Sequence, residues 1–545
     1  MHFRCGGVGG RRGPAVTVMS QRISQSLADL PVDPAGITAL TNPVDFGPTG
    51  TVIDHVDAHA TSQPDRTAVI AGDSVLSYGQ LVRRVEEYRD VLRAHGCAVG
   101  DIVACLGHRT ADTVVLFLAL ESIGAVYLPV DPGWPPARIA EVLELSGSAI
   151  VFDYRDTGTP RIEARADRDA RLPESAESPP RYVIYTSGTT GRPKGAIVAE
   201  AGMLNHLLAK IADLALTARD RVACTAPLVF DISIWQLLAP LVVGATVVVV
   251  PDGDIVFPRR LYRQLARHEV SVVELVPTAI AGLLDETARQ AADRSLPALR
   301  WLISTGEELK PVLAHRVLFA LPHARLLNAY GPTECSDDVT HHVVTDADTT
   351  RTRLPVGRPI ANAAIYCLTR GADARTWTAP EPGAAGEIFV GGVPAGLGYL
   401  GDPDATRAAF FRDPFDPDSP TRRLYRTGDL GRIENGVVHY LGRVDRQVKV
   451  AGVRMELDEI EAALSRHPAV GQCAVTLAGG NGRPPHLTAH YVPAAPVAAA
   501  ELEAFLAAVL PASQVPRHWA ELDALPLTAN GKVDHRTLVN RAATD

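Results

Sequence analysis

No two cysteines in this 545-residue chain stand at C-x-x-C spacing; Cys5, Cys97, Cys105, Cys224, Cys335, Cys367 and Cys473 are scattered. Neither a zinc centre nor a disulfide framework is indicated, and a reducing cytoplasm is the natural setting. No basic run offsets the formal net charge of −9, which argues against a general nucleic-acid binder. The most apolar stretch, residues 237–250, is broken by Pro240 and Gly244 and is shorter than the ~20 residues that a membrane span needs. Residues 1–19 are rich in glycine and arginine and lack the apolar segment of a secretory signal, so residues 1–20 are expected to be a disordered extension, with Met1 and Met19 both open as the start. Internal repeats and long low-complexity tracts are absent as well.

What is present is an ordinary globular composition, 46% hydrophobic and 21% charged, on a chain too long for one hydrophobic core. At least two domains follow. The stretch that organises the chain is 185–195, Tyr-Thr-Ser-Gly-Thr-Thr-Gly-Arg-Pro-Lys-Gly, which leaves the apolar run 182–185 as a loop leaves a strand. Its glycines let backbone N–H groups approach an anion, its Thr and Ser hydroxyls add donors, and Lys194 adds a positive charge. That is a phosphate cradle, but not a Walker A loop, because Pro193 precedes the lysine and Gly195 follows it.

Upstream, helical spacing over 78–92, a short strand at 102–106 and a helix through 114–118 make an α/β layer, repeated over 139–152. Residues 154–181 read as a linker feeding the cradle. Downstream, the β-branched run 246–250 and the short apolar runs 272–276, 301–304 and 325–328 read as strands of a mostly parallel sheet flanked by helices. Ligands in such sheets sit at the carboxyl ends of strands, where Ser304-Thr305-Gly306 and Ala329-Tyr330-Gly331-Pro332 fall. After 428–430 the pattern changes. Asn435-Gly436 marks a tight hairpin, 447–454 a second, and Asp458-x-x-Glu461 reads as a capping box opening a helix. The fold class is therefore α/β, with a large domain over 21–444 and a smaller α+β domain over 445–545.

The order of these motifs resembles the adenylation domains of nonribosomal peptide synthetases, within the adenylate-forming group that includes acyl-CoA ligases and firefly luciferase. The matching motifs are Leu-Ser-Tyr-Gly-Gln-Leu (76–81), Gly-Ala-Val-Tyr-Leu-Pro-Val-Asp (124–131), the cradle and Phe-Asp-Ile-Ser (230–233). They continue with Asn-Ala-Tyr-Gly-Pro-Thr-Glu (328–334), Gly-Glu-Ile (386–388), Tyr-Arg-Thr-Gly-Asp-Leu (425–430), Gly-Arg-Val-Asp-Arg-Gln-Val-Lys-Val (442–450) and Asn-Gly-Lys-Val-Asp (530–534). The resemblance implies ATP and Mg²⁺, with Thr186, Ser187, Gly188, Thr189, Thr190 and Lys194 on the phosphates. It sets Gly306, Asn328, Tyr330, Gly331 and Thr333 on the nucleotide, Tyr330 packing on adenine, and Asp429 with Arg443 on the ribose hydroxyls. Glu334 would ligate Mg²⁺. Lys532 would be the catalytic lysine, acting with Thr186, Lys194 and Glu334, and Asp445 the hinge about which the small domain turns, exchanging Lys532 for the 447–452 face.

His535, Ala451 and Ser513-Gln514 depart from the family pattern, Ala451 on the face that would receive a carrier. No Gly-Gly-x-Ser carrier attachment site is present and the chain stops at Asp545, so a stand-alone enzyme serving a phosphopantetheinylated carrier protein in trans is expected. Whether a small MbtH-like activator assists stays open. Partners are then a small-molecule amino acid and the carrier, with no nucleic acid and no membrane.

By the same resemblance the substrate pocket is Asp231, Ile232, Trp235, Glu274, Ile303, Thr305, Ala329, Asp337 and Asp338, with Lys532 at its mouth. Asp231 would hold the α-ammonium, and could also cap a helix starting near Ile234. Glu274 interrupts a buried-looking run, so a cationic partner is expected: a substrate ammonium, or a nearby arginine. Asp337 and Asp338, alternatively an exposed acidic loop, add two carboxylates. With Trp235 and Ile303 shortening the cavity, the set resembles a pocket for 2,4-diaminobutyrate, with ornithine, lysine and 2,3-diaminopropionate as neighbours.

Overall fold

A computed structural model describes residues 27–47, 49–155, 160–165, 172, 178–188, 192–289, 296–480, 483–527 and 533–542. Among them the large domain holds three sheets. The first runs Gly398–Tyr399, Lys194–Ala199, Pro180–Thr186, Val126–Val130, Ile102–Leu106, Ile150–Asp153 and Arg161–Ala164, parallel at its centre and antiparallel at both edges. The second has six adjacent parallel strands, Arg325–Tyr330, Trp301–Ser304, Val272–Leu275, Arg221–Cys224, Thr246–Val249 and Thr67–Ala71. Strands such as Ile102–Leu106 and Thr246–Val249 are buried along their whole length, which is why their sequences are apolar without alternation: both faces are covered. One core joins the two sheets through the helices Ala111–Ile123 and Ile232–Val242.

Two expectations change here. The linker contains a strand, Arg161–Ala164, paired antiparallel with Ile150–Asp153. A third sheet, largely antiparallel and centred on Ala363–Arg370, Gly386–Gly392 and Arg423–Glu434, was not anticipated. Its twelve-residue strand Arg423–Glu434 turns at Asn435 (φ 53°) and Gly436 (φ 71°) into Val437–Arg443, the hairpin that Asn-Gly announces.

The smaller domain begins with the hairpin Gln447–Val450 and Val453–Glu456 and continues through the helix Leu457–Leu464 to a sheet of Val470–Gly480, Arg483–Pro493 and His518–Glu521. It has its own core, with Met455, Ile460, Leu464, Val475, Leu502 and Leu506 buried. The expected capping box does not form. The helix starts at Leu457 with Glu456 as a cap whose side chain makes no capping bond, so Asp458 already lies inside the first turn and pairs, with Glu461, to Arg446. The seam between the domains is polar: Arg138 Nη1 meets Glu459 Oε1 at 3.0 Å with both side chains buried, and Gly452 N donates to Glu307 Oε1 at 2.8 Å.

Candidate active site

The cradle is held as a loop between two strands whose register puts Lys194 opposite Thr186. Thr186 Oγ1 donates to Lys194 O at 3.4 Å. Gly188 has no room for a side chain, since a Cβ there would lie 1.9 Å from Arg192 O. Lys194 Nζ stands 5.6 Å from the Tyr399 ring centroid. Thr189 and Thr190 lie outside the described residues.

Beside it, the carboxyl end of Arg325–Tyr330 delivers Asn328, Tyr330 and Gly331, followed by the short 3-10 turn Thr333–Cys335 that carries Glu334. The Asn328 amide donates to Pro355 O at 2.8 Å and so fixes the next loop. Asp429 and Arg443 face one another as cross-strand partners, with Arg443 Nη1 donating to Asp429 Oδ1 at 2.7 Å; the Tyr330 hydroxyl donates to Asp429 Oδ2 at 2.6 Å. Arg443 also grips Asp445 through two bonds of 2.6 and 2.7 Å. A carboxylate so anchored keeps lone pairs for two vicinal hydroxyls, and the buried Tyr330 offers an aromatic wall.

Glu334 is placed differently from the expectation. Its Oε1 accepts from the Tyr399 hydroxyl at 2.8 Å, and its Oε2 from Arg454 Nη1 at 2.8 Å. Burial would raise this carboxyl, but the Arg454 guanidinium outweighs it and holds Glu334 below its usual value, ionised. The donor chemistry suits a hard cation. In this arrangement, however, a guanidinium from the small domain fills that role, oriented in turn by Gln447 Oε1, which accepts from Arg454 Nε at 2.7 Å. Ser187 Oγ donates to Arg454 O at 3.3 Å. Gly452, at φ +79°, packs so closely on Val276 that a Cβ would lie 2.4 Å from Cγ1, and it borders Gly306. The 447–454 hairpin therefore sits in the site. Lys532 lies outside the described residues.

A cleft of ≈ 490 Å³ is lined by Phe230, Ile232, Val276, Gly452, Glu274 and Thr305 among others. Asp231 caps the helix Ile232–Val242, which starts two residues before the expected position, and accepts from Ile232 N at 3.0 Å. Thr333 also hydrogen-bonds its carboxyl. Burial first, then the charge of Asp338, lift Asp231 to about 6. Trp235 and Ile303 are fully buried, and Ala329 packs in the same core. Asp337 and Asp338 form no exposed loop: both are buried.

Within the chain, the cationic partner of Glu274 is not an arginine. It is Lys210, whose Nζ lies 2.7 Å from Asp338 Oδ2, 3.4 Å from Glu274 Oε1 and 4.7 Å from the Trp235 ring centroid. The Trp235 indole donates to Glu274 Oε2 at 2.5 Å, and Thr305 Oγ1 to Asp338 Oδ1 at 3.1 Å. Burial lifts Glu274 to about 7 against the pull of Lys210, while Asp338, nearest the ammonium, falls below its usual range. Asp337 is raised by burial and by Asp338. Its Oδ2 finds no hydrogen-bond donor; His206 Nε2 is 3.8 Å away. His341 bridges Asp213 (2.7 Å) and Asp338 (3.8 Å). His206, Asp338 and His341 bring ligand atoms within 4.8 Å of one another, yet both Asp338 oxygens already accept, Oδ2 from Lys210 and Oδ1 from Thr305.

Lys210 was the residue that sequence reading missed. The signal was there: Met203, Leu207, Lys210 and Leu214 share one helical face of Glu200–Asp213 and its cap, and all four are buried, so the lysine points where only apolar side chains normally go.

Fold and site together define an adenylate-forming ligase, with the glycine- and threonine-rich loop, the Asp429–Arg443 pair and the 447–454 hairpin of the smaller domain all carried on elements that end near one another. The chain belongs to the AMP-binding enzyme family, whose model matches residues 56–400, with the AMP-binding enzyme C-terminal domain over 459–532. Its relatives are nonribosomal peptide synthetases. It is 35% identical over 97% of its length to phosphinothricin tripeptide synthetase PhsB of Streptomyces viridochromogenes, of which it spans 46%. Holo-PA1221, a synthetase protein containing adenylation and PCP domains, superimposes with TM-score 0.76 at 28% identity over 92% of this chain and 84% of its own. The Vibrio cholerae adenylation domain AlmE, solved with glycyl-adenosine-5'-phosphate, shares the fold at TM-score 0.77 and 24% identity, covering 92% of this chain and all of its own. Among the described residues no helix is long and apolar enough to cross a membrane.

Proposed function

We propose that the protein activates a short α,ω-diamino acid, L-2,4-diaminobutyrate first, and passes it to the phosphopantetheine thiol of a carrier protein. The carboxylate oxygen of the amino acid attacks the α-phosphorus of ATP and pyrophosphate leaves; the thiol then attacks the acyl carbon and AMP leaves. The observation that carries the substrate class is an imbalance of buried charge. Asp231, Glu274, Asp337 and Asp338 are buried close enough to feel one another's charge, Glu274 on the cleft itself, and Lys210 pairs with Glu274 and Asp338. Buried carboxylates without cations are costly, and a substrate bearing two ammonium groups supplies what is short. One ammonium meets Asp231; the other meets the Glu274 and Asp337 side.

Thr186, Ser187, Gly188, Thr189, Thr190 and Lys194 hold the phosphates in this reading, with Gly306, Asn328, Tyr330, Gly331 and Thr333 on the nucleotide and Asp429 with Arg443 on the ribose. Lys532 neutralises charge as pyrophosphate departs. Mg²⁺, when bound, would lie on Glu334 and supply charge neutralisation, which requires Arg454 to withdraw first. Asp445 is the hinge for that withdrawal, with residues 21–444 and 445–545 as the two moving parts. The apolar walls of the cleft and the 447–454 hairpin at its edge support it as the approach for a thiol arm.

ATP–pyrophosphate exchange with diaminobutyrate, diaminopropionate, ornithine, lysine, leucine, glutamine and a set of simple carboxylic acids tests this, with and without an MbtH-like protein. Diaminobutyrate should lead by at least about tenfold over its neutral isosteres. Leucine or glutamine ahead of every diamino acid would remove the substrate assignment, and exchange with amine-free acids alone would make the protein an acyl ligase of another kind.

A further inference from the structure

Lys210 has no part in the nucleotide chemistry, yet it is buried to 0% exposure between two carboxylates and the face of an indole. Those are the surroundings that recognise an alkylammonium. Glu274 and Thr305 line the cleft, and both of these side chains bond the groups that surround Lys210: Glu274 directly, Thr305 through Asp338. The lysine thus stands one layer behind the wall that a substrate side chain would reach.

We propose that Lys210 is a specificity-determining residue: its own ammonium occupies the seat that the terminal ammonium of a longer diamino acid would take, and so closes the pocket to all but short substrates. The inference rests on reading the cleft as an amino-acid pocket. A neutral residue at 210 could not do this work, because Asp338 and Glu274 would face each other without a cation, and breaking a buried pair in this way is strongly destabilising. Trp235 shapes the seat from one side, and the carboxylates, held by Trp235 Nε1 and Thr305 Oγ1, keep it in place. A side chain that reached past Glu274 would meet the Lys210 ammonium head-on, like charge against like.

The test is Lys210→Ala in the full chain, assayed by pyrophosphate exchange across diaminopropionate, diaminobutyrate, ornithine and lysine. Truncation removes three carbons and the ammonium. The expected result is a rise of roughly tenfold or more in kcat/KM for lysine relative to diaminobutyrate. Adding n-propylammonium, which replaces the missing atoms, should return the wild-type ranking. A folded Lys210→Ala enzyme, judged by its melting temperature and ATP binding, that keeps the wild-type ranking and ignores n-propylammonium overturns the proposal, as does a wild-type preference for lysine.

Should that variant fail to fold, Lys210→Met keeps the stem without the charge. It should not gain lysine, but its acid limb in the kcat/KM–pH profile should move to higher pH, because Asp338 and Glu274 lose the cation that favours their ionised forms. An unmoved limb counts against Lys210. Wild-type exchange with neutral amino acids alone would remove the diamino-acid reading while leaving this test in force, since truncation should still admit lysine.

Discussion

Two carboxyls at the pocket titrate where assays are run: burial holds Asp231 at about 6 and Glu274 at about 7. Binding of a substrate ammonium needs both ionised, so kcat/KM for exchange should fall as pH drops through 7 and then 6, while the same profile for Glu274→Gln should keep the lower step alone. Stability moves the other way. Glu274 has a folded pKa above its unfolded one, so the unfolded chain ionises first and the native state loses stability as pH rises from the ordinary carboxylate range to about 7. Glutamine cannot ionise. The melting temperature of Glu274→Gln relative to wild type should therefore climb between pH 5 and pH 8, and a flat difference would mean that Glu274 is not held protonated. At this scale Glu274 was legible because a carboxylate in an apolar run is conspicuous, and Asp231 through the family resemblance. Lys210 was not, because a lysine on a helix is ordinarily a solvated residue, and only its alignment with Met203 and Leu207 marks it as buried.

The hairpin from Gln447–Val450 to Val453–Glu456 is the element that completes the site, and Gly452 is its point of closest approach. Replacing Gly452 with alanine adds a methyl at a left-handed φ against Val276. Overpacking of this kind costs about 1–3 kcal/mol, so transfer to a thiol should fall roughly tenfold. Adenylate formation, for which the proposed alternation withdraws the hairpin, should change little. Equal losses in exchange and thioester formation would show that the hairpin stays in place throughout. The parallel strands and the hairpin turning at Asn435-Gly436 could be read from sequence, since apolar runs and Asn-Gly turns are local signals. The antiparallel sheet could not: Ala28–Asp29 pairs with Phe410–Arg412, nearly four hundred residues on, and nothing local marks such a partnership. The capping-box reading failed because Arg446, from outside the helix, claims both acids.

At the scale of the molecule, Arg454 and Lys532 ride on the same small domain and should serve different halves of the reaction. Lys532→Ala should reduce pyrophosphate exchange by a factor on the order of 10² to 10³ and spare transfer from supplied aminoacyl adenylate. Arg454→Gln should do the reverse, because it strips Glu334 of its partner in the arrangement that faces the thiol. If the two variants lose both half-reactions alike, the domain does not alternate.

The contacts named across the seam, Arg138 with Glu459, Arg454 with Glu334 and Gly452 with Glu307, are ionic or polar. In the proposed turning of the small domain, parting them returns charges to water and also opens the apolar contact of Gly452 with Val276. Electrolyte then becomes a throttle. Added salt steadies the separated charges more than the joined ones, so the ratio of exchange to thioester formation should climb from dilute buffer to brine, and the enzyme would idle, loaded with adenylate, in a medium that leaves its active site chemically untouched.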